Sequence, residues 1–148
     1  MEGVLKKNGC KKVGYGILTV MVILLLTFGR VQAEDVQAQV LAKTSSSWDG
    51  TPLPNYPEGK PEITILRIEI PPGARLPWHR HPVINAGVLL KGQLTVESED
   101  HHTLHLKAGD SIVELVNKWH YGKNEGKIPA EIIVFYAGVE GTPITEKK

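Results

Sequence analysis

Hydrophobic and polar positions follow three regimes along this chain. Val13 to Phe28 is an uncharged, mostly apolar run. Residues 34–62 show no sustained period: Val36 to Ala42 has some apolar content, Ser45-Ser46-Ser47 follows, and Pro52, Pro54, Pro57 and Pro61 break the remainder. From Ile63 onward, apolar and polar residues alternate in short blocks. Ile63 to Ile70 is closed by Pro71-Pro72-Gly73 and Val83 to Leu90 by Lys91-Gly92. Gln93 to Glu97 points Leu94 and Val96 to one face. Thr103 to Leu106, Ser111 to Val116 and Ile128 to Ala137 complete the series, with turns at Glu99 to His102 and Gly109-Asp110. No window after the first apolar run has the period of an amphipathic helix. Strands at the ~8–12-residue spacing of turn signals predict an all-β sandwich or barrel. An edge strand is expected near Val40 to Thr44, followed by an irregular Pro-rich excursion in which Trp48 and Tyr56 plug one end of the core.

The first apolar run changes the picture of where the domain begins. Lys6, Lys7, Lys11 and Lys12 precede it, and Val31-Gln32-Ala33 follows with small residues at a signal-peptidase spacing. Residues 1–33 therefore read as a secretory signal peptide cleaved after Ala33. An uncleaved anchor is the alternative, and sixteen residues fall short of the ~20 a membrane span needs. Cys10, the single cysteine, lies in the leader, so the mature part has neither a disulfide nor a thiol nucleophile. The chain carries 17 Lys and Arg against 16 Asp and Glu; removing the leader's five basic residues and one acid leaves 12 against 15, a net charge of −3. No basic surface is expected and nucleic acid is not an expected partner. The localisation expected is periplasmic or secreted, with membrane contact only through an uncleaved leader.

The candidate chemistry rests on histidine. His79 and His81 are separated by one residue, and positions i and i+2 of a strand share a face. Two imidazoles on one face form a two-point metal clamp. His120 follows the strand Ser111 to Val116 and is the expected third donor, brought opposite the pair by an antiparallel neighbour.

Two segments with fixed spacing carry a resemblance. Gly73-(five)-His79-x-His81-(three)-Asn85-(six)-Gly92 resembles the first cupin motif, G-x5-H-x-H-x3-E-x6-G. Gly109-(five)-Leu115-x-Asn117-(two)-His120-(three)-Asn124 resembles the second, G-x5-P-x-G-x2-H-x3-N. The resemblance to small single-domain bacterial cupins covers about residues 63–138. It implies an antiparallel double-stranded β-helix, the cupin or jelly-roll barrel, with one metal near its wide mouth. The implied ligands are His79, His81 and His120, and the implied turn residues are Gly73, Gly92 and Gly109, where positive φ is tolerated. Three positions depart: Asn85 stands in place of the family's glutamate ligand, and Leu115 and Asn117 in place of a proline and a glycine. Asn85 is then a weak or water-mediated contact. A three-histidine set suits Fe, Zn, Ni, Co or Cu and suits Mg or Ca badly.

The expected domain plan is a signal peptide at 1–33, an N-terminal strand and Pro-rich segment at 34–62, a barrel core at 63–138 and a tail at 139–148. Glu114 is a candidate ligand or general base if it points inward, although a solvent-facing position is the favoured reading. Tyr121 is a second catalytic candidate, with packing favoured. Trp78 and Trp119 are expected outside the metal cavity, His101, His102 and His105 exposed, and Arg67 either in the lumen or, more commonly, at the rim or paired with the neighbours of Glu69 across the sheet. The function expected is a metalloenzyme acting on a small molecule with dioxygenase- or isomerase-like chemistry. The alternative is a non-catalytic ligand-binding or sensing module, and a purely structural domain is the weakest reading. A homodimer joined through N-terminal edge strands is expected in any case.

Overall fold

The computed structural model describes residues 35–148, of which Ala38–Lys148 form one compact unit. The leader and Cys10 lie outside the described residues. No helix among the described residues is long and apolar enough to cross a membrane. Nine strands follow in chain order: β1 Pro61–Ile70, β2 His79–Arg80, β3 Ile84–Lys91, β4 Gln93–Ser98, β5 Thr103–Lys107, β6 Ser111–Val113, β7 His120–Lys123, β8 Ala130–Val139 and β9 Glu146–Lys147. They build two antiparallel sheets, one in the order β1-β8-β3-β6 and the other in the order β5-β4-β7-β2-β9.

Two-residue periodicity sets which faces meet. On β8, Ala130, Ile132, Val134 and Tyr136 are buried while Ile133 and Phe135 remain exposed. Ile70, Leu89, Leu94, Val96, Leu106 and Ile112 join them in one apolar cluster between the sheets. β1 is paired with β8 along its whole length, from Pro61 opposite Val139 to Ile70 opposite Ala130. β8 in turn pairs with β3, with a register shift between Leu89 and Lys91.

The left-handed positions sit where strands reverse. Gly73, Gly92 and Gly109 all have positive φ, as the resemblance implies. Gly92 is the most constrained: a Cβ there would stand 2.7 Å from the Pro129 carbonyl oxygen. Asn117 adopts φ 58° in place of the family's glycine, a conformation Asn tolerates better than most residues, and its N–H donates to the His81 carbonyl at 2.8 Å. Asn124 is buried and ties the end of β1 to the β7–β8 connection. Its Nδ2 donates to the Ile70 carbonyl at 2.9 Å and the Ile128 carbonyl at 2.8 Å, and its Oδ1 accepts from the Gly126 N–H at 2.9 Å.

Several expectations are corrected. Val40 to Thr44 forms no strand; the Leu41 carbonyl accepts from Ser111 Oγ at 2.8 Å, and an isolated bridge between Ser46 and Pro52 follows. Val40 is exposed in the isolated chain. Tyr56 is 77% exposed and plugs nothing, whereas Trp48 packs against the core. β6 ends at Val113 rather than Val116. The C-terminal residues are not a simple tail, because β9 joins the second sheet beside β2. Arg67 takes the expected cross-sheet role: it is exposed and pairs with Glu131, the residue opposite Glu69.

Gly92→Ala and Gly109→Ala separate backbone strain from collision. Both positions demand positive φ, which costs roughly 1–2 kcal/mol for an L side chain, but a Cβ at Gly109 meets nothing within 4 Å. Chemical denaturation should show Gly92→Ala to be clearly the more destabilised. Equal losses would mean that the Pro129 carbonyl moves aside freely.

Candidate metal centre

The site grows from the crossing of β2 and β7. Their register sets His79 directly opposite His120, and His81 follows two residues after His79 on the same face, bridging to Val116. The ring centroids lie 4.5 Å apart for His79 and His120 and 5.1 Å apart for each pair that includes His81. One nitrogen from each ring lies within 4.8 Å of the others. The structure thus brings the three predicted histidines together.

Hydrogen bonding fixes which nitrogen each ring presents. His79 Nδ1 bonds the Pro77 carbonyl at 2.8 Å, His120 Nδ1 the Lys118 carbonyl at 2.9 Å and His81 Nδ1 the Ile144 carbonyl at 2.8 Å. A carbonyl can only accept, so each Nδ1 carries the proton and each Nε2 keeps its lone pair. Thr145 Oγ1, 3.2 Å from His81 Nδ1, braces the same edge. This is the second layer of bonds that orients metal-binding imidazoles.

Glu114 points inward, against the favoured expectation. It is 9% exposed and lines the cavity, with Oε2 3.5 Å from His120 Nε2. That separation is too long for a strong hydrogen bond, and both atoms are buried without a partner. Burial raises the Glu114 carboxyl from its ordinary 4.5 to about 7, partly opposed by the neighbouring His79 ring and by the Leu115 N–H. Burial also lowers all three imidazoles from 6.5, His81 to about 3, so they are held neutral, the form that binds metal.

A metal is tested by these unsatisfied atoms. Buried polar atoms without partners cost on the order of 1–3 kcal/mol each. A cation held by the three rings would give His120 Nε2 a partner and lie near Glu114 Oε2. The donor set of three neutral nitrogens and one nearby carboxylate suits a transition metal. The residues present fit the group.

Asn85 is buried opposite Tyr136 on β8; its Nδ2 donates to the Val83 carbonyl at 3.3 Å, and its Oδ1, like His120 Nε2 and Glu114 Oε2, has no partner among the described residues. The other candidates fall outside this centre. Tyr121 lies on the far side of β7, where its hydroxyl donates to Glu97, its ring meets Trp78 edge-on and the Arg75 guanidinium lies 3.7 Å from its ring centre. Trp78 and Trp119 also stay out of the cavity, and His101, His102 and His105 are exposed, as expected. A second group, Asp49, Asp100 and His102, comes within ligand spacing, but Lys118 Nζ already binds both of its carboxylates at 2.8 and 2.9 Å.

The cavity is ≈ 230 Å³ and is walled mainly by Leu66, Ile68, Leu94, Val96, Ile132 and Val134. Sequence reasoning missed Tyr136, Thr145 and Lys147 in its lining. Ile144-Thr145 after Pro143 is a weak β-branched signal just before β9, which supplies Lys147.

Residues 66–136 match the family model described as "Cupin domain". No curated protein matches the chain in sequence. Among solved structures, a DMSP lyase from Ruegeria pomeroyi is similar at 20% identity and a TM-score of 0.52, covering 67% of this chain and 47% of its own. A cupin-like protein from Thermotoga maritima is similar at 19% identity and 0.50, covering 58% of this chain and 64% of its own. An oxalate decarboxylase from Lactobacillus farciminis, in a formate complex, is similar at 22% identity and 0.50, covering 57% of this chain. This chain spans only 26% of that enzyme. The fold is the cupin double-stranded β-helix.

The buried groups give metal-free protein a pH signature. A histidine held below 6.5 contributes stability that is present above pH 6.5 and lost as pH falls toward its folded value, about 3 for His81. Glu114, raised to about 7, contributes stability that is present below pH 4.5 and lost as pH rises through about 7. Between these limits three imidazoles outweigh one carboxyl. The thermal midpoint of metal-free protein should fall from pH 6.5 to 4.5, and less steeply in His81→Gln. An equally steep fall in His81→Gln would place that ring in water.

Proposed function

We propose that this protein holds one divalent transition metal on His79, His81 and His120 and converts a small molecule in the barrel. The carrying observation is the convergence of three imidazoles anchored through Nδ1 on a pocket where His120 Nε2 and Glu114 Oε2 have no other partner. When bound, such a metal supplies Lewis-acid or redox chemistry.

The chain's own groups are suited to proton handling. In the metal-free pocket burial raises the Glu114 carboxyl to about 7, which makes it the group in the cavity best suited to take up or release a proton. Tyr136 is buried, and burial together with the Glu114 charge pushes its hydroxyl up to about 12, so it stays protonated and can donate. The apolar wall excludes water. At ≈ 230 Å³ the cavity falls below the ~300 Å³ where drug-sized sites begin, so the substrate is small.

The enzyme reading is favoured over a non-catalytic ligand-binding module by Glu114. A buried carboxyl raised toward neutrality beside the histidines suits proton transfer to a bound molecule. The named activities of the lyase and decarboxylase neighbours support an enzyme only as analogy of fold. Dioxygenase- and isomerase-like reactions both suit a three-histidine centre.

Elemental analysis of untagged protein purified from its native compartment should find one transition metal per chain. His120→Ala should weaken that metal by more than ~100-fold, beyond the 10–100-fold typical of outer-shell losses. A wild-type protein with no transition metal above background would end this reading.

A further inference from the structure

Strand β9 enters the wall of the metal cavity carrying a cation that forms no ion pair among the described residues. β9 pairs with β2 so that Lys147 lies opposite His79 and Glu146 opposite Arg80. Residues opposite one another on antiparallel strands project to the same face, with Cβ atoms about 5 Å apart. Lys147 therefore stands on the histidine side and lines the cavity. Glu146 faces the other way and binds Arg80 at 2.7 Å. The strand itself is fixed: the Ile144 carbonyl accepts from His81, the Lys148 N–H donates to the Trp78 carbonyl at 3.0 Å, and Lys148 Nζ reaches Glu99 at 3.4 Å. Among the described residues, Lys147 forms no ion pair. It is exposed to solvent at one end of a cavity whose other walls are mostly aliphatic.

Charge counting gives this cation a purpose. The imidazoles bind as neutral donors, a divalent ion brings two positive charges, and Glu114 returns one negative charge. Lys147 then adds another positive charge. The lined cavity carries net positive charge behind low-dielectric walls, where an opposite charge is attracted more strongly than in bulk water.

We infer that the cavity takes a small aliphatic carboxylate, and that Lys147 is the specificity-determining residue that pairs with its carboxylate beside His79. This rests on the metal-centre reading for the full charge count, while the lysine's position is independent of it. The aliphatic walls receive the apolar body of the ligand. A carboxylate next to His79 lies within reach of the ammonium.

Two probes of equal size separate charge from shape: butyrate and butyramide. Both are titrated calorimetrically into full-length, metal-loaded wild type, Lys147→Gln and Lys147→Arg, after the metal content of each has been measured. Wild type should bind butyrate more tightly than butyramide. Lys147→Gln should weaken butyrate by roughly five- to tenfold, the effect of one charge-assisted contact discounted for solvent exposure. Butyramide should change by less than about twofold, metal content should not change, and Lys147→Arg should retain butyrate binding. The inference is overturned if Lys147→Gln leaves butyrate binding unaltered, if it weakens both probes alike, or if wild type binds neither. Should wild type fail to load metal, the metal-centre reading fails on its own. The same pair of titrations on metal-free protein then decides the lysine, with the same discrimination expected.

Discussion

Everything about this site depends on where three imidazole N–H groups find their acceptors. Each Nδ1 proton is held by a backbone carbonyl, so each Nε2 lone pair is left to face the other two. Two of the carbonyls, Pro77 and Lys118, lie two residues before their histidines. The strands β2 and β7 thus arrive with the same local geometry and orient their own rings. The third ring cannot do so: His81 relies on Ile144, 63 residues further along the chain. The barrel must close through β9 before the third ring is oriented. Fold and site are coupled at that one bond.

The cost of this arrangement is concentrated in a few atoms. His120 Nε2 and Glu114 Oε2 are buried side by side without partners. A protein selected for stability alone would replace such a pair with packed aliphatic side chains. Here the aliphatic residues surround the pair. Ile132, Val134, Leu94 and Val96 supply the core energy on the same faces that deliver the polar groups. The same burial holds the imidazoles neutral and lifts the carboxyl toward neutrality.

Much of this was legible in the sequence. Blocks such as Gln93 to Glu97, with Leu94 and Val96 on one face, alternate cleanly, and the glycines at 73, 92 and 109 mark the reversals that the structure gives positive φ. The spacing of His79, His81 and His120 located the centre. Strands β2 and β7 were legible only through their histidines, and β9 not at all, because two to four residues make no periodic window. Glu114 was misplaced because a lone carboxylate on a strand usually faces water. Its shared parity with buried Ile112 pointed inward, but only the fold shows the unpartnered His120 nitrogen it meets. Tyr56 misled for the opposite reason: a large aromatic suggests a core, yet the proline-rich segment carries it out into solvent.

Long-range proton–nitrogen NMR on metal-free, histidine-labelled protein near neutral pH reads the deciding feature directly. The account predicts that His79, His81 and His120 are all protonated at Nδ1 and bare at Nε2, in contrast to the averaged signals of exposed His101 and His102. Any of the three found as the Nε2–H tautomer, or averaging between tautomers like a ring in water, would contradict it.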